Sequence, residues 1–200
     1  MPDVKPYAES SDQNRYPILK VLGRFFTKPA GRVLEIGSGT GQHAVYFSGD
    51  LPHLIWQPSD VEVNLPGIRA WCDTATSTNL LEPIALDVRH RPWPIQVADY
   101  VYSANTAHIM SWSSVGEFIQ GVGNVLVDGG LFVLYGPFNY QGTYSSESNE
   151  RFDAWLKSRD PESGIRDFEA IQDVASEAGL SLVEDVAMPA NNRLLCWEKT

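Results

Sequence analysis

The stretch Val33-Leu34-Glu35-Ile36-Gly37-Ser38-Gly39-Thr40-Gly41 decides how the rest of the chain is read. Arg32 to Ile36 is a short apolar run that stops at a glycine cluster, and Gln42 to Ser48 continues with helical character. The unit is strand, turn, helix. Glycine at alternate positions lets the backbone turn sharply and approach a ligand where any side chain would collide with it, so a ligand is expected across this loop. A dinucleotide-binding loop requires Gly-x-Gly-x-x-Gly, but the position five after Gly37 is Gln42. Glu35 also stands just ahead of the glycines, where a pyrophosphate is disfavoured. A nicotinamide oxidoreductase is therefore opposed.

Outward from this unit the same rhythm repeats. Asp12 to Phe26 carries Ile18, Leu19, Leu22, Phe25 and Phe26 at spacings of three and four and predicts an amphipathic helix on the sheet edge. Leu54 to Gln57, Ile84 to Asp87 and Asp99 to Ala104 predict strands two to four, with a helix over Val61 to Cys72 interrupted near Pro66. Ser113 to Leu126 places Val115, Phe118, Ile119, Val122 and Val125 on one stripe, and Asp128-Gly129-Gly130 reads as its C-terminal cap before a fifth strand, Leu131 to Tyr135. Pro137 to Gly164 breaks the rhythm and predicts an insertion or lid with one helix, Asn149 to Ser158. A last helix over Asp167 to Ala178 precedes two strands, Leu180 to Val186 and Leu194 to Glu198, joined so briefly that they form an antiparallel hairpin. The expected fold is α/β, a mostly parallel sheet with helices on both faces.

The chain has 200 residues, 43% of them hydrophobic and 20% charged, which predicts a single domain with a helical cap over residues 1–30 and a lid over 137–165. Fifteen basic against 25 acidic residues give a formal charge of -10 that repels phosphate backbones, so no nucleic-acid partner is expected. No apolar run is long enough for a membrane span, and none serves as a signal core. Cys72 and Cys196 are too few for a disulfide framework, and a reducing, cytoplasmic setting is expected. Oligomeric state is not legible.

The Glu35 to Gly41 loop resembles motif I of the class I S-adenosylmethionine-dependent methyltransferases. That resemblance implies a Rossmann-like seven-stranded sheet with an antiparallel last hairpin. Asn14-Arg15, Gly41-Gln42-His43-Ala44, the run Leu51 to Asp60, Tyr135-Gly136-Pro137-Phe138 and Met188 to Asn192 are further similar to the 938 family of domains of unknown function, which resembles the methyltransferase-like 26 proteins. The resemblance covers about Lys5 to Lys199. It implies S-adenosylmethionine as cofactor, with Glu35, Gly37, Ser38, Gly39 and Gly41 shaping the methionine side and Asn14, Arg15 and His43 contributing contacts. Asp60, 19 residues beyond Gly41, is implied to accept the ribose hydroxyls, Asp87 and Val88 to meet the adenine, and Asn105 to face the sulfonium.

The bare residues leave alternatives open. Asp60 and Asp87 at strand ends also read as turn or cap formers. Cys72 and Cys196 read as packing. No histidine or carboxylate spacing supports a metal. His43, His53 and His90 lack the setting of a base, whereas His108 follows the fourth strand, at the carboxyl edge where parallel sheets bind ligands. It reads either as pocket lining, with general base as one role, or as a structural hydrogen-bond partner. The signature by which related folds methylate nucleobase amino groups is replaced by Ser103-Ala104-Asn105-Thr106. Tyr7, Tyr135, Phe138, Asn139 and Asn191 form a candidate acceptor-binding set, with ordinary loop packing as the alternative. The activity expected is methyl transfer, with catalytic roles for His108 and Asn105, to a small, uncharged or cationic organic acceptor. A sensor or partner-binding protein that binds the cofactor without turnover is the second reading.

Overall fold

The structure, a computed structural model, describes residues 5–200, so the first four residues of the expected cap lie outside it. The chain divides after Ser103 into two compact units. The first contains α1 (Glu9–Phe25), β1 (Gly31–Ile36), α2 (Gln42–Asp50), β2 (Leu54–Asp60), a 3-10 turn (Glu62–Asn64), α3 (Leu65–Cys72), β3 (Ile84–Ala85) and most of β4 (Ala98–Ala104). The second contains α4 (Trp112–Val125), β5 (Leu126–Gly136), β6 (Phe138–Asn139), α5 (Glu147–Arg159), β7 (Arg166–Asp167), α6 (Phe168–Glu177), β8 (Leu180–Met188) and β9 (Asn192–Lys199). The strands follow one hydrogen-bonded order, β3-β2-β1-β4-β5-β9-β8, with β6 and β7 as a separate ladder. β1 pairs in parallel with β2 and β4, and β2 with β3, while β9 runs antiparallel to both β5 and β8. The expected fold class holds.

In the first unit, Ile18, Val21 and Leu22 bury the apolar stripe of α1. Its principal partner is α2, not the sheet edge that the stripe predicts. Phe47, Trp56 and Tyr102 pack as an aromatic cluster with centroids 5.5 to 5.9 Å apart, each pair adding about 0.5 to 1.5 kcal/mol beyond area burial. The third strand is shorter than expected and leaves Asp87 two residues beyond its end.

In the second unit, Phe132 stacks on Trp197 at 5.3 Å and meets Phe118 edge-on at 5.5 Å. The glycines after α4 do not cap it. Leu126 is already extended at φ -70° and ψ 136°, and β5 begins there and runs through Gly129 at φ 73°. Strand pairing thus overrides a local stop signal. The hairpin is antiparallel as expected, with Ala190 and Asn191 both in the left-handed region at its turn.

Gly123 marks the tightest helix contact of this unit. A Cβ there would stand 2.5 Å from the carbonyl oxygen of Ala178 and 3.0 Å from its Cβ. Alanine gains about 1 kcal/mol in helix propensity, yet a backbone oxygen cannot turn aside, and overpacking of this kind typically costs about 1 to 3 kcal/mol. Gly123→Ala is expected to lower the melting temperature. A rise on thermal denaturation would show that α4 and the end of α6 separate freely.

Candidate functional site

In the first unit the glycine loop is laced to the end of β2. The amides of Gly37 and Ser38 both donate to Ser59 O at 3.0 Å, Ser38 Oγ accepts from Ser59 N at 3.1 Å, and Ser59 Oγ donates to Glu35 O at 2.6 Å. Gly37, Gly39 and Gly41 lie at φ 72°, 59° and 90°, a region that favours glycine. Their reasons differ. A Cβ on Gly41 would press against the Ile68 backbone at 3.1 Å, whereas one on Gly39 would meet nothing within 4 Å. Gly41 therefore serves packing against α3, and Gly39 offers bare backbone to open space.

Asp60 ties the loop down. Its Oδ2 accepts from the Gly39 amide at 2.7 Å, and its Oδ1 accepts from Val61 N and Asn64 Nδ2, both at 2.8 Å. A carboxylate offers about four lone-pair sites, so the chain's own donors leave Oδ2 room for one more. Glu35 is fully buried and accepts from Trp56 Nε1 at 2.8 Å. Burial pushes its carboxyl up to about 7, against hydrogen bonds from Trp56 and Ser38.

The other expected cofactor residues have internal partners. His43, in the first turn of α2, meets Ser11 O at 3.1 Å and Asn14 Oδ1 at 2.7 Å through Nε2, and the Tyr102 hydroxyl at 3.1 Å through Nδ1. Burial lowers it to about 4, so the neutral ring stitches α1, α2 and β4. Arg15 pairs with Asp12 at 2.9 Å and lies over Tyr46. Asp87 takes the Arg89 guanidinium on both oxygens, at 2.9 and 2.6 Å, which lowers it to about 2. Val88 is buried, and Tyr7 is 62% exposed.

In the second unit Asn105 follows β4 at φ 58°, and its amide donates to Tyr135 O at 2.8 Å. His108 is only 6% exposed, with its ring edge-on to Phe152 at 5.3 Å. A Cβ at Gly136 would lie 3.7 Å from its Nδ1. Burial first, and the Arg166 charge second, lower the imidazole to about 4, so it is neutral at ordinary pH. Tyr135 and Phe138 are buried, as is Asn139, whose Oδ1 has no hydrogen-bond partner among the described residues. Asn191 sits in the β8–β9 turn, where its carbonyl accepts from Asn149 Nδ2 at 3.1 Å and its Nδ2 donates to Ser148 Oγ at 3.2 Å. It holds the start of α5. Among the described residues no group of three or more His, Cys, Asp or Glu is placed to hold a metal, and no helix is long and apolar enough to cross a membrane.

Residues 5–199 match the family model described as "Protein of unknown function (DUF938)". The chain belongs to this family. Solved structures similar to this DUF938 chain include the S-adenosylmethionine-dependent methyltransferase SibL, 19% identical with a TM-score of 0.79, the match covering 95% of this chain and 55% of that one. Human N-acetylserotonin methyltransferase, in complex with S-adenosylmethionine, is 14% identical over 96% of this chain and 53% of its own, TM-score 0.79. The DUF938 chain thus spans about half the length of these two. A chain from the "Complex between the Haloferax volcanii Trm112 methyltransferase activator and the putative methyltransferase" is 15% identical over 94% of this chain and 91% of its own, TM-score 0.74. These likenesses show a methyltransferase-type Rossmann-like fold.

Proposed function

We propose that this DUF938 protein is an S-adenosylmethionine-dependent methyltransferase acting on a small-molecule acceptor. The observation that carries the reading is the Gly37–Gly41 loop, open at Gly39 and fastened to a carboxylate, Asp60, with one accepting position to spare. The fold shared with S-adenosylmethionine-dependent methyltransferases supports the cofactor, and the net charge of -10 supports a small molecule over nucleic acid.

S-adenosylmethionine, when bound, supplies an electrophilic methyl group. The bare backbone around Gly39 would admit the ligand, and Asp60 would hold it through a ribose hydroxyl. Glu35 keeps the strand end rigid through Trp56, and Asn105 orients its amide in a loop fixed by Tyr135 O. His108 takes the proton of an acceptor hydroxyl or amine on a ring nitrogen, and its burial keeps water from competing for that proton.

Calorimetric titration tests the cofactor. S-adenosylmethionine and its demethylated product are expected to bind and to raise the melting temperature by mass action, whereas NAD is not. Heat from NAD and none from S-adenosylmethionine overturns the assignment. A screen of small metabolites for transferred labelled methyl then identifies the acceptor.

A further inference from the structure

The segment that closes the insertion holds the His108 loop by its carbonyls. Arg166 donates from Nε to Ala107 O at 3.1 Å and from Nη2 to Met110 O, the Gly164 amide donates to His108 O at 2.9 Å, and Ser163 Oγ donates to Ile109 O at 3.3 Å. Four successive carbonyls, 107 to 110, are thus taken by residues 163–166. Outside helix and strand such carbonyls need partners of this kind, because an unsatisfied buried one costs about 1 to 3 kcal/mol. The clamp is itself anchored. Arg166 Nη2 also donates to Glu162 O at 2.7 Å, and the Ile165 amide donates at 2.7 Å to buried Asp153, which accepts further from Tyr144 and Lys157.

A guanidinium suits this role because its planar fork fixes two acceptors at once, which an ammonium does not. Its hydrogen bonds to Ala107, Met110 and Glu162 all meet neutral carbonyls, while the Asp153 carboxylate acts on it through its charge. α5, which meets the ring through Phe152, carries Glu147, Glu150, Arg151, Asp153, Lys157 and Arg159; Glu162 precedes the closing segment, and Arg166 and Asp167 form β7. Of these, Arg166 is the one whose charge acts on the imidazole. We propose that Arg166 is the positioning residue for His108: its fork fixes the loop that presents the ring. The consequence for catalysis rests on the reading of His108 as the proton acceptor; the clamp itself does not.

Nitrogen NMR of the imidazole in the full, ligand-free chain reads the proposal without an acceptor. Wild-type His108 is expected to titrate at about 4. In Arg166→Met the titration is expected about one unit or more higher, and in Arg166→Lys, which keeps the charge and loses the fork, within about half a unit of wild type. Amide exchange at Gly164 is expected to quicken roughly tenfold or more in both variants. Unchanged Gly164 exchange in folded Arg166→Lys, or an unchanged His108 titration in folded Arg166→Met, overturns the proposal, and the Lys variant decides where the Met variant does not fold. If these shifts appear while His108→Ala keeps its turnover, the clamp stands and the base assignment falls.

Discussion

His108→Ala is expected to lower kcat by about 100-fold or more while leaving cofactor affinity within about threefold. The asymmetry follows from the role: a side chain that meets the acceptor's proton is missed in the transition state and not when the cofactor binds alone. The pH profile makes the expectation specific. A base acts in its neutral form, and burial together with Arg166 holds His108 at about 4. Activity is therefore fully present above that value and lost as pH falls through it, well below the free imidazole's range near 6.5. With an acceptor in hand, kcat against pH for wild type and variant decides the matter. An acid limb that survives the substitution, or a variant that loses thermal stability yet keeps its turnover per folded molecule, removes His108 from the chemistry.

Asp60→Ala is expected to weaken S-adenosylmethionine binding by roughly 1.5 to 3 kcal/mol, about 10- to 150-fold, with little loss of fold. Two contributions fall together. The ribose hydroxyl loses a charged acceptor, and the Gly39 amide, held at 2.7 Å by the same carboxylate, loses the contact that sets the loop. Asp60→Asn retains one oxygen for Gly39 and is expected to lose less. Isothermal titration of the three proteins separates the contributions; unchanged affinity in folded Asp60→Ala would make the residue a turn former alone.

Parts of this architecture are legible because their causes are local. The apolar run ending at Ile36, the glycines after it and the helix from Gln42 are neighbours in sequence, so their order predicts the turn that forms. The short link between β8 and β9 likewise admits only a hairpin. Other features depend on distant partners. Asp128-Gly129-Gly130 has the composition of a helix stop, yet the helix has ended at Val125 and the glycines lie in β5. The β6–β7 ladder joins two-residue strands, too short to show alternation. Arg166 is mute in sequence because its acceptors at Ala107 and Met110 lie 59 and 56 positions away. Residue types at strand ends point to a site, while the assignment of each donor requires coordinates: Asp60, Asp87 and His43 carry internal partners that spacing does not reveal.

The position of β9 between β5 and β8 imposes a schedule on folding. β5 is synthesised well before β9, and on the edge away from β4 Leu131 to Gly136 find their partners in Arg193 to Glu198. In the interval a largely apolar strand has an unsatisfied edge, the kind of surface on which nascent chains pair with one another. Closure waits for the late hairpin to insert its second arm, so the step that completes the second unit's sheet is also the one that removes its route to aggregation.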